Sequence, residues 1–156
     1  MTPHQASEME ARLRMYLESV EGVIREHGWM VQFVFPTENE PGVPFAYTVG
    51  LTAKGRPELV IAGLPDQVAG QLLNMAAEAS LQAPFEAGQT VDDLATVPFR
   101  VVTADLAEVG MARNLYGDER VSALQLVWPA RNGAFPWEPT WPDDTRQPVY
   151  TIGTIR

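Results

Sequence analysis

The hydrophobic period of the chain changes at Gly28 from that of a helix to that of a strand. Before this glycine, apolar residues recur at three- and four-residue spacing, which predicts an amphipathic helix over about residues 3–27 that lies on a core. Thr2, Pro3 and Gln5 are typical of a helix start, and Gly28 is typical of a helix end. After Gly28 the side chains alternate over residues 29–35, which predicts a strand. The apolar positions of the predicted helix are Met9, Leu13, Tyr16, Leu17, Val20 and Ile24.

The rest of the chain mixes the two periods without a regular strand–helix–strand rhythm. Further strands are predicted over residues 45–51, 58–62, 99–103 and 123–128, with a short last strand around residues 149–152. A second helix is predicted from Pro65 to just before Pro84, and a third over about residues 105–117. We therefore expect a single α+β domain over residues 1–156, with a mostly antiparallel sheet and about three helices. The predicted apolar stripe of the second helix is Val68, Leu72, Met75, Ala76 and Ala79.

The composition excludes several classes of function. A formal net charge of -9 argues against binding to nucleic acid or to an anionic membrane surface, because both require clustered Lys and Arg. The chain has no Cys, so disulfides, thiolate nucleophiles and cysteine zinc sites are excluded. No apolar run is long enough to span a bilayer, and the N-terminus lacks the features of a signal peptide. A bacterial cytoplasm is the expected location.

Residues that commonly carry catalysis are scarce. His4 and His27 are the two histidines, and no phosphate-binding glycine loop, nucleophile elbow or zinc-protease motif is present. The adjacent acids at 92–93 and 143–144 supply too few ligands for a hard cation. We therefore predict no metal site and favour a noncatalytic protein.

Aromatic residues and prolines are concentrated near the C-terminus. Three of the four tryptophans, among them Trp128 and Trp137, lie within residues 128–141 beside several prolines. Proline stiffens such a segment, so its rings can be held in place at a small entropic cost. A preorganised aromatic surface of this kind is what a ligand pocket or a protein interface uses. The alternative is that the rings simply cover the sheet.

A second group of candidate residues lies on the predicted strands. Tyr47 and Thr48 should point to opposite faces of one strand, while Glu58 begins an apolar strand where a solvated charge is unexpected. Glu58 is expected to pair with one of the arginines at positions 56, 100 and 146, or to meet a donor on a ligand. Gln125, inside an apolar strand, either faces outward or is a buried amide that needs partners.

Several of these motifs occur together and resemble a known family. The motifs are YTVGL at 47–51, GRPEL at 55–59, QLVWP at 125–129 and FPW at 135–137. Together they resemble a bacterial domain family of unknown function that is frequent in actinobacteria, and the resemblance covers about residues 23–148. The family often has His where this chain has Arg56, and Asp where it has Ala130. These departures argue against a chemistry that needs that imidazole or carboxylate, whereas a shared structural or binding role would survive them.

The leading hypothesis is therefore a small, noncatalytic binding or interaction module. Its predicted site consists of Tyr47, Thr48, Glu58, Gln125, Trp128 and Trp137, and its partner is a protein or a small molecule. The first alternative is a flavin-dependent or other small-ligand enzyme of split-barrel type. The hairpin around Gly55 loosely resembles that of split-barrel flavin domains, in which amides and Thr hydroxyls hold the cofactor phosphate. The second is an acidic inhibitor or regulator that docks onto a basic protein partner. Homodimerisation through the N-terminal helix or a sheet edge is left open.

Overall fold

The computed structural model describes residues 2–39 and 41–150. In these residues three helices and six strands follow one another along the chain. The helices are α1 (Pro3–His27), α2 (Asp66–Gln82) and α3 (Gly110–Tyr116), and short 3₁₀ turns cover Leu51–Lys54 and Leu106–Glu108. The strands are β1 (Met30–Val34), β2 (Phe45–Val49), β3 (Glu58–Ala62), β4 (Thr90–Val91), β5 (Phe99–Thr103) and β6 (Ala123–Val127).

The six strands form one sheet in the order β1-β2-β3-β6-β5-β4. Every neighbouring pair is antiparallel except β3 with β6, which is parallel. One face of the sheet packs against α2, and the other packs against α3, the C-terminal part of α1 and Tyr150. The predicted α+β class, with a mostly antiparallel sheet and three helices, is confirmed.

Helix α1 begins and ends as predicted, but most of its apolar stripe is not buried. Thr2 and Gln5 form a capping box at its start, and Gly28 ends it with φ 94°. Val20 is buried, whereas Met9 and Leu13 are 55% and 51% exposed. A helix of 25 residues is roughly 37 Å long, while a five-residue strand spans only about 17 Å. The N-terminal turns of α1 therefore extend beyond the sheet, and the prediction that the whole stripe lies on the core is wrong.

Helix α2 buries Ala76 and packs Leu72 and Ala79 against the core as predicted, but two other residues of its predicted stripe are exposed. Val68 and Met75 are 42% and 46% exposed, so their predicted place in the core is wrong. The sheet surface beneath α2 is already filled by side chains such as Leu59 and Ile61, and it accepts the smaller side chains of the helix at close approach. The buried residues of α2 are Ala69, Leu73, Ala76, Ala77 and Ser80.

The other predicted elements are mostly confirmed, with differences at their ends. The third helix is divided into a 3₁₀ turn and α3, and the short strand β4 was not predicted because it lies in a polar segment. The last predicted strand is not found at Val149 and Tyr150, and residues 151–152 lie outside the described residues. No helix in the described ranges is both long enough and apolar enough to cross a membrane.

The C-terminal segment lies so close to Gly63 that a larger residue there should destabilise the fold. Gly63 has φ 80°, and a Cβ at this position would overlap the carbonyl oxygen of Arg146. Gly88 has a similar φ of 91°, yet a Cβ there would meet nothing within 4 Å. Both alanine variants are strained by the positive φ, but Gly63→Ala should lose about 1–3 kcal/mol more stability because of the overlap. Urea unfolding of the two variants measures this difference, and equal losses would contradict the packing at Gly63.

Candidate functional site

The structure brings two of the predicted site residues, Thr48 and Glu58, into direct contact. Glu58 is fully buried, and its carboxylate accepts five hydrogen bonds from β2 and the turn that follows it. We call this arrangement the Glu58 clamp. Its donors are the Thr48 hydroxyl (2.8 Å), the amides of Gly50 (3.2 Å), Leu51 (3.2 Å) and Thr52 (2.8 Å), and the Thr52 hydroxyl (2.6 Å).

The clamp forms because the hairpin folds its own amides toward the start of β3. Gly50 has φ 129°, and the 3₁₀ turn after it leaves the first amides of the turn without partners inside the turn. The carboxylate of Glu58 supplies acceptors for them. The Thr48 hydroxyl also accepts a hydrogen bond from the Leu59 amide at 2.9 Å, so it links β2 to β3. The clamp therefore closes the hairpin from inside.

The expected pairing of Glu58 with an arginine is not found. Within the described ranges Glu58 makes no ion pair, and the Nε of Arg56 instead donates to the carbonyl of Ser80 at 2.7 Å. Burial raises the pKa of Glu58, and the hydrogen bonds from Thr52, Thr48 and Gly50 partly oppose this rise. Donors within the chain thus satisfy a carboxylate that the sequence suggested would need a cation or a ligand.

Tyr47 is also buried and has an internal partner. Its hydroxyl accepts a hydrogen bond from the Met111 amide at 2.9 Å, so the side chain joins β2 to α3. Desolvation raises the pKa of Tyr47. The tyrosine side chain is 4% exposed, and its hydroxyl is used in the contact between β2 and α3.

Gln125 and Trp128 hold the C-terminal segment against the sheet. Gln125 is fully buried; its Nε2 donates to the carbonyl of Pro148, and its Oε1 accepts from the Tyr150 amide, both at 2.8 Å. The indole of Trp128 donates to the carbonyl of Ala62 at 2.7 Å, while its backbone exchanges two hydrogen bonds with the Gln147 side chain. Of the two interpretations of Gln125, the structure shows the buried amide with partners.

Trp137 is the predicted site residue that the structure leaves open to solvent. Its side chain is 49% exposed, and its ring stacks on Phe135 with a centroid distance of 5.4 Å and an interplanar angle of 6°. The guanidinium carbon of Arg100, on β5, lies 5.9 Å from the Phe135 centroid and 6.0 Å from the Trp137 centroid. We call these three residues the Trp137 surface. Both distances lie within the range of cation–π attraction.

Short-range hydrogen bonds fix the segment that carries the Trp137 surface. The Phe135 amide donates to the Glu138 carboxylate at 2.8 Å. The side chain of Asn132 accepts from the Ala134 amide at 3.0 Å and donates to the carbonyl of Thr140 at 2.8 Å. Together with the prolines, these bonds hold the rings in a fixed arrangement. The sequence prediction of a stiffened aromatic segment agrees with this geometry, although it did not include Arg100 or Phe135 in the site.

Arg100 differs from a typical partly buried arginine. In the part of the chain that the structure describes its side chain makes no hydrogen bond or ion pair, and its Nε is buried without an acceptor. The acidic residues outnumber the basic ones by 20 to 11, so the missing carboxylate partner does not reflect a shortage of acids. No local sequence signal marks Arg100, because its aromatic neighbours follow more than 30 residues later.

A separate cavity of about 330 Å³ lies between the β1–β2 connection and the C-terminal segment. It contains none of the six predicted site residues. In the described residues no group of three or more His, Asp or Glu side chains is placed to hold a metal ion. The residues that line the cavity are Val34, Phe35, Pro36, Pro41, Gly42, Val43, Phe45, Glu108, Arg146, Pro148 and Tyr150.

The clamp predicts that a neutral amide cannot replace the buried carboxylate without loss. Glu58→Gln places an NH₂ group opposite donors of Gly50, Leu51 or Thr52, so at least one buried donor loses its acceptor. We expect a loss of about 1–3 kcal/mol in the free energy of unfolding. Glu119→Gln, at an exposed acid, is the matched control and should change stability by less than about 0.5 kcal/mol. Equal effects of the two changes in urea unfolding would contradict the clamp.

The raised pKa of Glu58 also predicts a dependence on pH. An acid whose pKa is higher in the folded than in the unfolded state favours folding most below its ordinary value of 4.5, and this contribution is lost as pH rises through the folded-state value. The stability deficit of Glu58→Gln should therefore be larger at about pH 5 than at about pH 8. Urea unfolding of wild type and Glu58→Gln at the two pH values measures this deficit. A deficit that grows with pH would mean that the hydrogen bonds outweigh desolvation.

The match to a known family covers most of this structure. No curated protein and no solved structure is significantly similar to the chain. A family model described as a domain of unknown function, DUF4262, matches residues 23–142. The matched range contains all six strands, the Glu58 clamp and the Trp137 surface. The chain therefore belongs to the DUF4262 family.

Proposed function

We propose that the chain is a noncatalytic binding module that takes a protein partner at the Trp137 surface. The observation that carries the proposal is the half-exposed indole of Trp137, stacked in parallel on Phe135 with the guanidinium of Arg100 beside both rings. Tryptophan and arginine are the residue types that most often dominate the binding energy of protein interfaces. Rings that are already held in place lose little entropy when a partner binds.

The location of the other titratable groups supports a noncatalytic role. Glu58 and Tyr47 have raised pKa values, which is common for catalytic groups. Both, however, are buried and bonded to donors of the chain itself, so neither is presented to a substrate. We assign them a structural role in the hairpin and in the contact between β2 and α3.

The flavin alternative loses its physical basis at the hairpin. A cofactor phosphate would need the amides and hydroxyls that follow β2. In this structure the amides of Gly50, Leu51 and Thr52 and the hydroxyls of Thr48 and Thr52 already donate to Glu58. A phosphate and the buried carboxylate would compete for the same donors, and their like charges would repel each other. We therefore do not propose flavin binding at this hairpin.

A small molecule remains the second kind of partner and would use a different place. The volume of the cavity, about 330 Å³, is at the lower end of the range for ligand pockets. Arg146 contributes a cation to its wall. Binding in this cavity would be insensitive to changes at Trp137.

We place the module in the bacterial cytoplasm, as the sequence led us to expect.

The experiment compares wild type with Trp137→Ala and Val68→Ala as immobilised baits in an extract of the organism that encodes the chain. Val68 is an exposed apolar residue on α2 and serves as the matched control. A partner that is retained by wild type and by Val68→Ala is then purified, and its affinity is measured by calorimetry. We expect Trp137→Ala to weaken binding by at least about 30-fold, because truncating an interface tryptophan commonly costs about 2 kcal/mol or more.

Two outcomes would contradict the proposal. If Trp137→Ala binds the partner as tightly as wild type while its circular dichroism is unchanged, the Trp137 surface is not the contact. If binding disappears at about 0.5 M salt but tolerates Trp137→Ala, the partner is held by the net charge of -9, as the inhibitor hypothesis requires.

A further inference from the structure

Strand β1 forms an edge of the sheet, and this edge is not protected. Among residues 2–39 and 41–150 no strand pairs with its outer side. Its five residues include no charged residue, proline or glycine, which are the features that usually keep edge strands from pairing with other chains. The unpaired amides and carbonyls of such an edge accept another extended strand readily.

An exposed apolar row of α1 lies beside the same edge. The hydroxyl of Tyr16 donates to the side chain of Gln32 on β1 at 3.4 Å, whereas Ile24 packs near Gly50, which follows β2. The side of α1 that carries Tyr16 is therefore the side away from β2. Met9, Tyr16 and Val23 follow one another at seven-residue spacing on that side and are 55%, 46% and 39% exposed. We call these three residues the outer row of α1.

We propose that β1 and the outer row of α1 form a two-fold interface with a second copy of this chain. In this dimer β1 pairs antiparallel with β1 of the other copy, so the two sheets become continuous. The two-fold axis is then perpendicular to the sheet, and both copies of α1 lie on the same face. Their outer rows consequently face each other across the axis.

A second copy fits this surface for reasons of symmetry and of charge. A strand that pairs antiparallel with itself about a two-fold axis satisfies the outer amides and carbonyls of both copies in one step. A row of apolar residues at seven-residue spacing likewise meets an identical antiparallel row. Each chain carries a net charge of -9, which opposes association, so a strand edge without charge is the more favourable place for two copies to meet; residues 29–35 contain no charged side chain.

The proposed dimer is independent of the proposed binding function. Arg100 lies on β5, which is separated from β1 by three strands. The Trp137 surface therefore stays accessible in the dimer. Loss of the dimer and loss of partner binding are separable results.

The experiment measures the mass of the full chain by sedimentation equilibrium and native mass spectrometry. Wild type should have the mass of two chains at micromolar concentration. Tyr16→Glu places two carboxylates opposite each other near the axis, and Val23→Glu places a carboxylate opposite the apolar Met9 of the second copy, so both should weaken the dimer at least about 100-fold, which leaves monomers. Met15→Glu is the matched control, because Met15 is next to Tyr16 on the same helix and is 69% exposed but lies off the outer row. This control should remain a dimer.

Hydrogen exchange tests the strand pairing separately from the helix pairing. Amides of residues 30–34 that point outward should exchange slowly in wild type and in Met15→Glu, and faster in Tyr16→Glu. A monomeric wild type at about 100 µM would overturn the proposal, whether the edge is bare or covered by another protein. A dimer that survives both Tyr16→Glu and Val23→Glu, or one whose β1 amides exchange as fast as those of a monomer, would overturn it as well.

Discussion

The buried carboxylate of Glu58 is the interaction on which the central hairpin depends. The amides of Gly50, Leu51 and Thr52 are enclosed by the fold and need acceptors, because an unpaired buried amide is costly. The carboxylate supplies these acceptors and accepts hydroxyl hydrogen bonds as well, and its desolvation is reflected in its raised pKa. Strand β3, which Glu58 begins, lies between β2 and β6, so the clamp stabilises a strand in the interior of the sheet.

The C-terminal segment completes the fold through amide side chains. Gln125 holds the backbone of Pro148 and Tyr150, and Gln147 holds the backbone of Trp128. These bonds immobilise the ends of the segment, and the turn around Asn132 orders its middle. The proposed partner surface on this segment and the proposed dimer edge at β1 lie toward opposite sides of the sheet, so one chain can present both surfaces at once.

The sequence predicted the elements well where the determining interactions are local. The capping box of α1, the glycine that ends it and the strands at 58–62 and 99–103 all involve residues within a few positions of each other. The sequence was a weaker guide to burial. The stripe of α2 and the overhang of α1 depend on the shape and length of the sheet surface, which no local pattern encodes.

By itself, the sequence determined the α+β class, the approximate bounds of most elements and two of the residues that need polar partners, Glu58 and Gln125, because period, caps and residue type are local properties. Only the tertiary structure decided what those partners are. Glu58 accepts hydrogen bonds from amides of its own hairpin, and Gln125 is hydrogen-bonded to a segment 23 to 25 residues away. The structure alone also brought Arg100 beside Phe135 and Trp137. Such contacts join distant parts of the chain, and side chains that bind a ligand look the same in a sequence as those that bind the chain itself.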